Sequence, residues 1–133
     1  MKPTDSELEI LHILWQLGPS TVRTVNDLLN EARKGTDREP AGYTTTLKLM
    51  QIMLEKGLVS RTEDGRTHVY ASVVGEADAQ SALLDQFVNN TFRGSTARLV
   101  MQALGSHQAS PDELEEIKAL IAQLENNQKQ DPE

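Results

Sequence analysis

The 133-residue sequence has no cysteine. This excludes a disulfide framework, a thiolate metal site and a cysteine nucleophile. Aromatic residues are nearly as scarce, with two Phe, two Tyr and one Trp, which gives little support to a ligand pocket. The three histidines, His12, His68 and His107, are scattered. There is no nucleophile motif, no Gly-rich phosphate loop and no carboxylate pair in an acid–base setting. Glu115-Glu116, close to a helix start, reads as a solvated face. The expectation is therefore a protein that is not an enzyme, with no catalytic residue, no metal and no cofactor. No run approaches the roughly 18 to 20 apolar residues of a membrane span, and the N-terminus lacks a signal-peptide core. That predicts a soluble cytoplasmic protein without membrane insertion.

Positive charge is also in short supply, but unevenly. The formal net charge is −7. Residues 1–72 hold nine Lys/Arg against ten Asp/Glu, and residues 73–133 hold four against ten. Within 33–68 the balance is positive, seven against five. Phosphate affinity follows the local patch rather than the overall pI, so the distribution permits nucleic-acid binding by the first half.

What is present is a series of helical patterns around one hairpin. Thr4-Asp5-Ser6-Glu7 is a capping box, Thr4 at N-cap and Glu7 at N3. Leu8, Leu11, Leu14 and Trp15 then recur at helical spacing, widened by Ile10, Ile13 and Leu17, until Gly18-Pro19 stops the helix. Trp15 reads as core. His12, among apolar residues and without a neighbouring ligand, does not read as a metal site. Thr21 is placed to cap a second helix with Val22, Val25, Leu28, Leu29 and Ala32 on its apolar stripe and Arg23 and Asn26 outward. The polar loop 33–42 follows and brings Arg33, Lys34 and Arg38 up to the third helix.

That third helix runs from Tyr43 to Lys56. Leu47, Met50, Met53 and Leu54 share one face, with Thr46 and Leu49 beside them, while Thr44, Lys48, Gln51 and Glu55 line the opposite stripe. Gly57 is a C-terminal stop and Lys56 suits the helix dipole there. An amphipathic surface helix is the simpler reading of this segment alone. Its continuation favours another. Leu58–Thr62 and Thr67–Ala71 are β-prone runs around Asp64-Gly65, a hairpin-turn signal. A helix running directly into an Arg-tipped hairpin is the core of a winged helix, whose third helix enters a DNA groove. On this reading Tyr43, Thr44, Thr45, Lys48 and Gln51 face DNA, Arg61 and Arg66 (with His68 beside them) lie on the wing near phosphates, and Arg38 flanks the site.

From Val74-Gly75, which looks like a hinge, the pattern is helical throughout. Leu83 and Phe87 belong to a fourth helix, and Leu99 to a fifth capped by Ser95. Leu114, Ile117, Leu120, Ile121 and Leu124 form the stripe of a sixth, opened by the capping box Ser110-Pro111-Asp112-Glu113. A two-fold partner is the simpler way to bury these stripes. The expected organisation is a winged-helix DNA-binding domain over 1–74, a helical dimerisation lobe over 75–126 and a disordered tail over 127–133. The fold class is mainly α with a small β-hairpin wing.

Taken together, Leu14-Trp15-Gln16-Leu17-Gly18, Thr21-Val22, Tyr43-Thr44-Thr45 through Glu55-Lys56-Gly57-Leu58-Val59, Gly65-Arg66 with Val69-Tyr70, and Phe92-Arg93-Gly94-Ser95 then Glu113-Leu114 resemble the penicillinase and methicillin-resistance repressor family. The resemblance spans about Thr4 to Leu124. It implies a homodimeric repressor on a palindromic double-stranded DNA operator, with the C-terminal helices forming the dimer and a membrane-sensor metalloprotease as a further partner. Copper-responsive members carry C-terminal cysteines, and this chain has none. Members released by proteolysis are cut at an Asn-Phe bond, where Gln102 and Ala103 stand here. The rival reading is a winged helix that binds protein rather than DNA, which leaves Arg61 and Arg66 without a role.

Overall fold

The computed structural model describes residues 2–106 and 108–130. The elements run α1 (Asp5–Leu17), β1 (Ser20–Thr21), α2 (Val22–Arg33), α3 (Tyr43–Lys56), β2 (Val59–Asp64), β3 (Thr67–Ser72), α4 (Glu76–Phe92), α5 (Thr96–Ser106) and α6 (Pro111–Gln130). This is a helix-turn-helix with a wing, followed by three helices. The chain divides into two compact units, Met1–Phe87 and Val88–Glu133. The division falls inside α4, beyond the hinge expected at Val74-Gly75.

In the first unit, local chemistry sets the helix ends. Thr4 Oγ1 accepts from the Glu7 N–H at 3.3 Å while Glu7 Oε1 accepts from the Thr4 N–H at 2.8 Å, completing the predicted box. Thr21 Oγ1 accepts from the Thr24 N–H at 3.2 Å and starts α2. Gly57, at φ 82°, ends α3 in the left-handed region that favours glycine. One core joins Ile10, Leu11 and Leu14 of α1 to Val22 and Val25 of α2, Met50 and Met53 of α3, and Leu58, Val59 and Tyr70 beyond them. Trp15 sits at its margin and donates its indole N–H to the Val74 carbonyl at 2.8 Å and to Ser72 Oγ at 3.0 Å. Leu17 and Leu28, both predicted on apolar faces, are exposed. Asn26 does not point outward as predicted, because its Oδ1 accepts from the Thr46 hydroxyl at 2.6 Å.

The sheet is antiparallel with order β1-β3-β2. β3 pairs with β1 through Ser20↔Tyr70 and with β2 from Val59↔Ser72 to Asp64↔Thr67. Pairing of Asp64 with Thr67 leaves Gly65-Arg66 as the two-residue turn, one position later than the Asp64-Gly65 signal suggests. Gly65 takes φ 67° there and Arg66 stays negative, as a turn with glycine first requires.

In the second unit, Ser95 Oγ accepts from the Arg98 N–H at 3.2 Å and caps α5. Ser110 and Glu113 close the second box, at 3.0 and 3.1 Å. α5 buries no residue. On α6, Leu114, Leu120, Ile121 and Leu124 are exposed. Helix continues through Gln130, so residues 127–130 of the expected tail are helical, while 131–133 and His107 lie outside the described residues.

Candidate nucleic-acid interface

The exposed side of α3 exists because its other side is held at both ends and in the middle. Near the N-terminus, wholly buried Thr46 bonds to Asn26 of α2. In the middle, Met50 and Met53 are wholly buried. At the C-terminus, Lys56 Nζ lies 2.9 Å from both oxygens of Glu7, whose side chain is 2% exposed. The dipole position assigned to Lys56 is therefore also an ion pair to α1. The entry to α3 is fixed as well. Asn30 Oδ1 accepts from the Ala41 N–H at 2.7 Å and its Nδ2 donates to the Ala41 carbonyl at 2.8 Å. Rigid support of this kind is what a reading helix needs, since base contacts tolerate little misplacement. Tyr43, Thr44, Thr45, Lys48 and Gln51 are all left on the exposed face.

The carboxylates of α1 sort the cations. Glu9 accepts from Arg33 Nε at 3.2 Å and Nη2 at 2.9 Å, and its Oε1 lies 3.0 Å from Arg38 Nη2. Arg38 also donates to Ser6 Oγ at 3.0 Å. Lys34 pairs with Glu31 at 3.0 Å. The three cations expected to flank the site from the 33–42 loop thus have carboxylate partners within the protein, Arg38 among them. Arg33 holds the Glu9 carboxyl below its usual value, against a smaller opposing effect of burial. For Glu7, burial by itself raises the carboxyl, but hydrogen bonds from Thr4 and Lys56 outweigh it and the net displacement is downward. Both acids are therefore ionised partners at neutral pH.

The cations of the first unit that have no carboxylate partner among the described residues are Lys2, Arg23, Lys48, Arg61 and Arg66. Lys2 precedes α1, and the other four belong to the start of α2, the outer face of α3 and the wing. Lys48, Arg61 and Arg66 were predicted from the sequence. Arg23 was assigned only an outward face. Its guanidinium lies 5.3 Å from the centre of the Tyr43 ring, a cation–π contact that ties the start of α2 to the start of α3. The signal for it was faint: an arginine two positions after a cap, whose partner lies 20 residues on in the sequence. His68 faces Glu63 at 3.5 Å on the wing. Among the described residues no cluster of His, Asp or Glu is arranged to hold a metal ion, and no helix is long and apolar enough to cross a membrane.

The arrangement is thus a firmly seated helix with an exposed polar face, bordered by cations that have no carboxylate partner among the described residues. The chain is 25% identical over 127 residues to the penicillinase repressor of Bacillus licheniformis, covering 96% of this chain and 94% of that one. It is 25% identical over 118 residues to the methicillin resistance regulatory protein MecI of Staphylococcus aureus (strain N315), covering 89% and 91%. It is 28% identical over 123 residues to the transcriptional regulator BlaI of Mycobacterium tuberculosis (strain H37Rv), covering 91% and 83%. A solution structure of the DNA-binding domain of the repressor BlaI superposes on 59% of this chain and 93% of that one, with a TM-score of 0.47 and 22% identity. With the family model for penicillinase repressors matching residues 3–123, nearly the whole sequence, the chain belongs to the penicillinase repressor family.

Proposed function

We propose that the protein is a DNA-binding transcriptional repressor, acting in the cytoplasm, that lays α3 in the major groove of a palindromic operator. Thr44, Thr45, Lys48 and Gln51 meet base edges or adjacent phosphates, Tyr43 braces the N-terminal end, and Arg61 and Arg66 meet the backbone from the wing. Arg38, shared with Glu9, contributes at the rim. The observation that carries this reading is the segregation of charge: the loop cations are paired internally, while Lys48 on the outer face of α3 and Arg61 and Arg66 on the wing have no carboxylate partner among the described residues. The operator is bound by a homodimer. The apolar residues assigned to its contact are Leu83, Phe87, Leu99, Leu114, Ile117, Leu120, Ile121 and Leu124, of which Leu120, Ile121 and Leu124 are about half exposed in the single chain, at 54%, 49% and 53%.

Release is assigned to proteolysis between about Leu99 and Ala109 by a protease, such as one coupled to a membrane sensor, that does not need Asn-Phe. The support is that α5 buries no residue, so local opening there costs less than global unfolding. Mass mapping of the protein after induction of its host should show a cut in this span, and an intact chain during induction rules the route out. The DNA reading is tested by gel shift on the duplex upstream of its own gene against a scrambled duplex, over a range of salt. Tighter binding to the upstream duplex, with affinity falling as salt rises, is expected. Absence of salt-dependent binding would leave the protein-partner reading standing instead.

A further inference from the structure

We propose that Asn26 of α2 and Thr46 of α3 are positioning residues for sequence discrimination, fixing where the N-terminal half of α3 stands, an inference that rests on and deepens the DNA-binding reading. The Thr46 hydroxyl donates to Asn26 Oδ1 at 2.6 Å. Asn30, one turn further along the same face of α2, accepts from the Ala41 N–H at 2.7 Å and donates to the Ala41 carbonyl at 2.8 Å. The two asparagines therefore hold α3 on either side of its N-cap Gly42 and of Tyr43, Thr44 and Thr45, which are exposed.

The other two holds on α3, by themselves, leave that end free to drift. Met50 and Met53 are wholly buried, but apolar contact is non-directional and tolerates a small slide or roll. The Lys56–Glu7 pair is directional and stands at the far end of the helix. Thr44 lies about 18 Å along the helix from Lys56, so a pivot of about 5° at Lys56 would carry it about 1.5 Å. Productive contacts tolerate roughly 0.5 Å. Thr46 itself is 0% exposed, at a position where valine would have the same shape. A neutral hydrogen bond adds little net stability over an apolar pair of that shape. What the Asn26–Thr46 bond adds is direction, at the end of α3 that meets the bases.

The double variant Asn26→Leu/Thr46→Val of the full chain replaces the pair with side chains of similar size that cannot hydrogen-bond. Both partners go together, so no polar group is stranded, and thermal stability should be unchanged or raised. Competition gel shifts then compare the duplex upstream of the gene with a scrambled duplex. The ratio of the two affinities should fall about tenfold, the worth of roughly one base contact, through loss on the upstream duplex alone. The salt slope should not move, because no cation is removed. Thr46→Ser keeps the hydroxyl and should keep the wild-type ratio, although the lost methyl lowers stability. A merely structural role would give the reverse order. Thr46→Val alone repeats the comparison should the double variant unfold, since half-buried Asn26 can turn its amide to water. A folded variant without the bond that discriminates as well as the wild type overturns the proposal. If the wild type does not itself prefer the upstream duplex, the repressor reading fails there, and amide hydrogen exchange of the free protein decides this one. Protection at Thr46 and Leu47 should then fall in the double variant while that at Met53 holds, and an unchanged pattern overturns the positioning role.

Discussion

At the scale of single residues, Glu7 shows how one side chain comes to serve two elements. It is N3 of the α1 capping box and the acceptor for Lys56 at the far end of α3. Its carboxyl is held below the ordinary glutamate value because Thr4 and Lys56 together outweigh burial. A depressed carboxyl contributes stability above the unfolded-state value, about 4.3, and loses it as pH falls through the lower folded value. Glu9, depressed chiefly by Arg33, acts with the same sign. Glu7→Gln should therefore destabilise the protein by about 2–3 kcal/mol at neutral pH, the range for a hydrogen-bonded charge left with a neutral partner. In urea melts the gap between wild type and variant should shrink from pH 7 to pH 3; a gap independent of pH would mean that the carboxylate charge contributes nothing. Half of this arrangement was legible in the sequence. Thr4 and Glu7 stand three apart, the spacing of a capping box, whereas Lys56 lies 49 positions from Glu7 and no local periodicity connects them.

At the scale of elements, the proposed interface divides DNA binding between α3 and the wing, and substitutions should separate them. Lys48 stands on the exposed stripe of α3 without an ion pair among the described residues, so Lys48→Ala is expected to cost on the order of 1–3 kcal/mol at the operator if it meets a base. Equal losses on operator and scrambled duplex would make it a phosphate contact. Arg66, in the hairpin turn, should act on every sequence alike: Arg66→Ala is expected to lower the salt slope by about one per half-site. An unchanged slope removes the wing from the interface. Both elements could be read from sequence because apolar spacing of 3.6 and a Gly-bearing turn are strong local signals. β1 could not, because Ser20-Thr21 is two residues long and has no alternation to detect; only pairing with Val69 and Tyr70 makes it a strand. The turn was misplaced by one residue for a related reason. Asp64 tolerates turn conformations, but the register that pairs it with Thr67 is set across the whole hairpin. The loop before α3 hides a contact of the same kind: Arg33 and Arg38 are basic in sequence and pair with Glu9, more than twenty residues upstream.

At the scale of the whole molecule, the unexplained feature is apolar surface. Leu114, Leu120, Ile121 and Leu124 follow helical spacing along α6 and remain exposed in the single chain. The stripe was plain in the sequence; under the dimer proposal its cover is a second copy of the chain, which a single chain does not contain. Under the dimer proposal, Leu120→Asp should leave the protomer folded, since the position already meets water. It should abolish dimerisation, since in the assembly it would bury a charge without a partner. A point change is a better probe than removing everything after Val74, because Ala79 of α4 is 2% exposed and that truncation would strip a buried residue from the first unit. Sedimentation equilibrium should give a dimer for the wild type and a monomer for Leu120→Asp, with circular dichroism showing equal helix content. DNA affinity should fall with it, because a tethered second head binds at an effective concentration on the order of millimolar that a free monomer loses. The Leu124→Asp variant, one turn along the same face, should behave alike. A Leu120→Asp protein that still sediments as a dimer would place the contact elsewhere, while one that turns monomeric yet keeps wild-type DNA affinity would show that a single winged helix suffices for the operator.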